Sequence, residues 1–251
     1  MSDQNNQPAS GLRRKLKVSD LWRRFTGSSF PINPTVEDMG KEIFQFATNL
    51  FGEDFINPSE VIYDYNEEQL FKLYQHFLVF CDLATLPMEN AFLVPGPPIN
   101  LTFADMMEEP IYCFTDQTVQ LARDGDQSNI DYLLNMEDVP GCNWLVFLKS
   151  GFPDSDGKML ERQLEAAGKQ DRFRPATAVE AYYCLWQYLK VRGINLLKQN
   201  IRLRTSSVSS NDQNVVVKLH GGDGFMITDW RENKEMCEGL FMSGVWVYDP
   251  P

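Results

Sequence analysis

Apolar residues recur at three- and four-residue spacing in four stretches of the chain. In several shorter stretches they alternate or run unbroken. This is the pattern of a protein that mixes helices with strands. The first helix is expected to start at Thr35, in PTVEDMGKEIFQFATNLFG. Thr35 can cap it, and Glu37 and Asp38 suit the positive end of the helix dipole. Met39, Ile43, Phe46, Ala47 and Leu50 form its apolar stripe, and Gly52 can end it. NEEQLFKLYQHFLVFCDLAT predicts a second helix with an inner face of Leu70, Leu73, Tyr74, Phe77, Phe80, Cys81 and Ala84. DGKMLERQLEAAGK reads as an exposed helix. RPATAVEAYYCLWQYLKVRG is the best-marked helix of the chain. Thr177 and Glu180 make a capping box, Lys190 and Arg192 lie in the last turn, and Gly193 is the stop. It is apolar nearly all round, through Val179, Tyr182, Tyr183, Leu185, Trp186 and Leu189, so burial on more than one side is expected.

Strands are expected at VIYDY, INLTF, IYCF, VQLA and CNWLVFLK, the last apolar throughout and therefore a buried strand with Cys142 near its start. IDYLLNM suggests a short helix after the turn RDGDQSN. The C-terminal part reads as β: IRLRT, VVVKLH, FMITDW and LFMSGVWVY, the last as one strand. No repeat of 20 to 50 residues is present. The proline cluster of LVPGPPIN is the best internal boundary, or a stiff extended connector. The expected organisation is an N-terminal arm over 1–30, a helical part over 31–94 and an α+β part over 95–251, with 31–251 as one domain the alternative. The fold class is α+β: the helical part packs with a mixed, mostly antiparallel sheet, and the long apolar helix lies against that sheet.

Composition sharpens this in one place. The chain has 251 residues, 43% of them hydrophobic, enough to bury about 70–75% of its unfolded surface. The net charge is −12, but it is unevenly spread. Residues 1–25 carry Arg13, Arg14, Lys15, Lys17, Arg23 and Arg24 against Asp3 and Asp20, a net of +4, which leaves the remainder at −16. A basic arm sits on an acidic body, with Trp22 and Phe25 as its apolar anchors. Five cysteines without CxxC spacing read as reduced thiols. No secretory leader pattern and no membrane-length apolar run are seen, so a cytoplasmic location, or a host cytoplasm, is expected rather than secretion.

Candidate chemistry is sparse. The segment VVVKLHGGDGFMITDW holds His220 among glycines. HGGDG lacks the GxSxG partner of an oxyanion loop and does not open a helix as a phosphate loop must. It reads instead as a hairpin with a Gly222-Asp223-Gly224 loop, pairing Leu219 with Ile227 and placing Lys218, His220, Met226 and Thr228 on the opposite face. His76 is expected to be half-exposed on the second helix. The histidines show no HxxxH or HExxH spacing, and no metal or cofactor is implied. DGDQSNIDYLLN and DSDGKMLERQLE imitate calcium loops but miss required ligands; Asp154 and Asp156 read as acids before and within the first turn of a helix. Carboxylate pairs such as Glu67 and Glu68, or Asp229 and Glu232, read as solvated surface.

The arm is the feature that calls for a partner. The leading expectation is a non-catalytic interaction or assembly protein. Arg13, Arg14, Lys15, Lys17, Trp22, Arg23, Arg24 and Phe25 would dock on an acidic protein surface, including that of a neighbouring copy. Two alternatives are a nucleic-acid-associated accessory factor using residues 12–25 electrostatically, and an enzyme with a carboxylate- or cysteine-based site.

Overall fold

The structure is a computed structural model. It describes residue 23 and residues 35–80, 90–108, 119–120, 137–169, 172–198, 201–209, 213–220, 224–230 and 239–247. Its helices are α1 (Val36–Phe51), α2 (Glu67–Phe80), α3 (Phe103–Glu108), α4 (Leu160–Gly168) and α5 (Ala178–Arg192). Its strands are β1 (Ala91–Pro95), β2 (Leu101–Thr102), β3 (Val119–Gln120), β4 (Asp138–Val139), β5 (Trp144–Leu148), β6 (Arg174–Pro175), β7 (Arg202–Val208), β8 (Asn214–His220), β9 (Gly224–Trp230), β10 (Leu240–Met242) and β11 (Gly244–Val247). The α+β class holds.

The helix ends form where local chemistry directs. At α1, Thr35 Oγ1 accepts a hydrogen bond from the Asp38 amide at 3.1 Å, and the Asp38 carboxylate accepts one from the Thr35 amide. Thr177 and Glu180 make the same reciprocal pair at α5. Gly193 adopts the left-handed conformation (φ 66°) and its amide donates to Leu189 O at 2.8 Å, closing the helix.

Two sheets and a central helix make the core. One sheet has the order β1-β5-β11-β6 and is antiparallel throughout. The other has the order β10-β7-β8-β9-β3, with an antiparallel centre and parallel outer strands. On the first sheet, Ala91, Leu93, Trp144, Val146 and Leu148 pack with Met39, Ile43, Leu73 and Phe77 of α1 and α2. The alternate residues Phe92, Val94, Leu145, Phe147, Val245 and Val247 face the opposite way and share a cluster with α5. Leu203, Val215, Val217, Phe225 and Ile227 of the second sheet join that cluster. Helix α5 therefore lies between the sheets, and every residue from Ala178 to Tyr188 is buried. Burying Tyr182, Tyr183, Leu185 and Trp186 stabilises the fold by roughly 1.5–3 kcal/mol each. Strand β5 is paired on both edges and covered on both faces, which is why WLVFL is apolar without alternation.

Several expectations fail in detail. VIYDY contains no strand. INLTF gives only the two-residue β2 before turning into α3. β1 falls on AFLVP, at the start of the proline-rich stretch; as an edge strand it tolerates Pro95. LFMSGVWVY is two strands in two sheets. Ser243 makes the corner, its amide and its hydroxyl both donating to Arg204 O at 2.8 Å. Asp154 and Asp156 precede α4 by several residues; Asp156 accepts the Gly239 amide at 2.8 Å. Cys142 sits before β5 with a left-handed backbone (φ 48°). The hairpin pairs Leu219 with Phe225 and Val217 with Ile227, two residues out of the expected register. The faces survive, because a two-residue slip leaves every side chain on its original side. IYCF, IDYLLNM and the loop residues 221–223 lie outside the described residues.

Candidate protein-docking groove

Helices α1 and α2 begin side by side. The Asn66 side chain accepts the Gln69 amide and the Gln69 side chain accepts the Asn66 amide, both at 2.9 Å, so α2 carries its own capping box. Between the two starts runs a groove in two adjoining lobes of about 600 and 670 Å³, sharing Thr35, Val36 and Glu67. Val36, Phe44, Leu70 and Phe71 are half-buried on its walls. Glu37, Glu67 and Glu68 line it as carboxylates. Lys41 is its one lining cation among the described residues, and it is paired with Glu37 at 2.7 Å. Glu67 and Glu68 have no ion pair among the described residues. Both lie in the first turn of α2, where the helix dipole favours negative charge.

The floor is Tyr74, only 4% exposed, its ring edge-on to Phe44. Gly40 permits this: a Cβ there would stand 3.1 Å from the Tyr74 hydroxyl and 3.3 Å from its ring. Burial raises the Tyr74 phenol to about 12, so it is a neutral hydroxyl at physiological pH. That hydroxyl has no hydrogen-bond partner among the described residues. The groove is thus apolar at its walls, acidic at its rim, and has the Tyr74 hydroxyl at its base.

The structure also brings a histidine to a cysteine, though not as a catalytic pair. His76 Nδ1 lies 2.9 Å from the main-chain oxygen of Cys142. A carbonyl only accepts, so Nδ1 carries the proton. The Cys142 thiol donates to Pro98 O at 3.0 Å. Burial pushes the thiol up, with Lys72 lowering it and Glu68 raising it by lesser amounts. Burial pushes His76 down, against the hydrogen bond to Cys142. Neutral thiol and neutral imidazole are the reverse of the thiolate–imidazolium pair that a cysteine nucleophile uses. Cys184 is fully buried and its thiol is pushed well up, chiefly by burial.

Among the arm residues, Arg23 is described, helical and exposed. Arg13, Arg14, Lys15, Lys17, Trp22, Arg24 and Phe25 lie outside the described residues, as do Cys81, Cys113 and Cys237. Among the described residues no group of three or more His, Cys, Asp or Glu side chains could hold a metal ion, and no helix is long and apolar enough to cross a membrane. The groove was not legible in advance. Phe44 and Phe71 sit off their helices' main stripes, a signal shared by many harmless surface aromatics. Comparison with protein families, characterised proteins and solved structures finds no match.

Proposed function

We propose that the chain is a non-catalytic interaction or assembly protein. Its basic arm, residues 12–25, docks on an acidic protein surface of a neighbouring copy. The observation that carries this is the separation of charge: +4 in the first 25 residues against −16 in the rest. Opposite fields of that kind steer two copies into register, and Trp22 and Phe25 supply the apolar contacts that hold them. The neutral state of Cys142 and His76 supports a non-catalytic reading. The acidic body supports a protein partner over nucleic acid, which it would repel beyond the arm.

Size-exclusion chromatography with light scattering tests the proposal on the full chain and on a chain lacking residues 1–30. Loss of the oligomer in the shortened chain is expected. An unchanged oligomeric state and unchanged partner capture would overturn the proposal. Binding to oligonucleotides that falls steeply with salt, and vanishes when the six basic residues become alanine, would favour the nucleic-acid reading instead.

A further inference from the structure

We infer that the groove between the starts of α1 and α2 receives the basic arm of a second copy of the chain. This rests on the assembly reading above and names the surface that reading requires. Three observations carry it. The first is complementarity. The arm presents six cations around Trp22 and Phe25, and the groove presents Glu37, Glu67 and Glu68 around Val36, Phe44, Leu70 and Phe71. Both lobes are shallow and open, so an indole or phenyl ring can lie along their apolar walls. Rim carboxylates then face arginines at the wet edge, and the rings are removed from water.

The second observation is the Tyr74 hydroxyl, which lines the groove and has no hydrogen-bond partner among the described residues. An incoming guanidinium or main-chain amide can hydrogen-bond to it in place of water. The third is the path of the chain. Thr35 lines both lobes, and the arm ends ten residues before it, across TGSSFPINP. Nine residues reach at most about 30 Å, enough for the arm to extend from its own molecule to the groove of another.

The test uses the full chain. A one-to-one mixture of 15N-labelled and unlabelled protein is treated with a zero-length carbodiimide and digested for mass spectrometry. Links from Lys15 or Lys17 to Glu67 or Glu68 that join labelled to unlabelled peptides are expected. Glu37→Lys, Glu67→Lys and Glu68→Lys together should weaken self-association about tenfold at low salt, a loss of the size rim charges produce. Tyr74→Phe should weaken it about fivefold, with an unchanged Tm showing that the fold persists. Links confined to one isotope would show each arm filling its own groove and would overturn the inference. So would association unchanged by the rim variants. If removal of residues 1–30 abolishes association while the rim variants do not, the arm docks elsewhere: the groove is wrong and the assembly reading stands. If removal changes nothing, both fall together.

Discussion

Two glutamines are completely buried, and the structure assigns them opposite energetic signs. Gln187 sits in α5 between the sheets at 0% exposure, and neither its Oε1 nor its Nε2 has a hydrogen-bond partner among the described residues. Gln163 of α4 is equally buried, but its Nε2 donates to Ser155 O and to Leu240 O, both at 2.8 Å. Methionine has glutamine's length and lack of branching, and similar helix propensity, so Gln→Met isolates the amide. At Gln187 the change removes two unsatisfied polar groups. After allowance for imperfect shape it should stabilise the protein by about 2 kcal/mol, raising Tm by about 4–8 °C. At Gln163 the same change loses both bonds, leaving Leu240 O with the Gly157 amide at 3.0 Å and Ser155 O with the Lys158 amide at 3.4 Å, and it also removes Oε1, which has no partner among the described residues; the net cost should be about 1 kcal/mol. Urea unfolding followed by circular dichroism, with equal m-values, measures both. Refutation is simple: if Gln187→Met loses more than about 1 kcal/mol, the Gln187 amide has a partner such as a bound water, and the assigned sign is wrong.

Three further outcomes are expected. Glu137 accepts the Ser207 hydroxyl at 2.6 Å and amides at the start of α5. Burial raises its pKa above the ordinary 4.5, Ser207 lowers it less, and Glu180 adds to the rise. Folding therefore takes up a proton between the ordinary and the raised value, so the stabilisation is full below 4.5 and is lost as pH rises through the folded pKa. Wild type should gain on Glu137→Gln as pH falls from 7.5 to 4; parallel pH profiles would contradict this. Arg192 ties the end of α5 to the segment between α1 and α2, donating to Glu53 O at 2.6 Å, to Phe55 O and to Glu60 at 2.8 Å. With its side chain 19% exposed, Arg192→Ala should lower stability by about 2 kcal/mol in the same urea assay, and a change under 0.5 kcal/mol would sink the assignment. For the hairpin, a cysteine pair at Leu219 and Phe225 should oxidise to a disulfide readily while a pair at Leu219 and Ile227 should not; the opposite result would restore the sequence-derived register.

What could be read from the chain alone was whatever short-range physics decides. A capping box spans four residues, so Thr35 and Thr177 announce their helices, and Gly193 announces an end, whatever surrounds them. The parity of β8 and β9 was legible because alternation is intrinsic to a strand. The apolar girth of α5 forecast burial on several sides, and two sheets cover it. The separation of arm from body charge is likewise written in the sequence.

Tertiary structure decided everything that depends on which segments meet. The hairpin register differs from the expected one by two residues, a shift that hydrophobic patterning cannot detect because both registers bury the same face. LFMSGVWVY divides at Ser243 because the Arg204 carbonyl, 39 residues away in sequence, holds that corner. His76 meets the Cys142 carbonyl while the thiol turns to Pro98 O, a pairing set by loops distant in sequence. The groove exists because Gly40 lets α1 close on Tyr74 while Phe44 and Phe71, each unremarkable on its own helix, come to the same opening. A helix pattern specifies which side faces inward; only the packing partner determines what the remaining edge becomes.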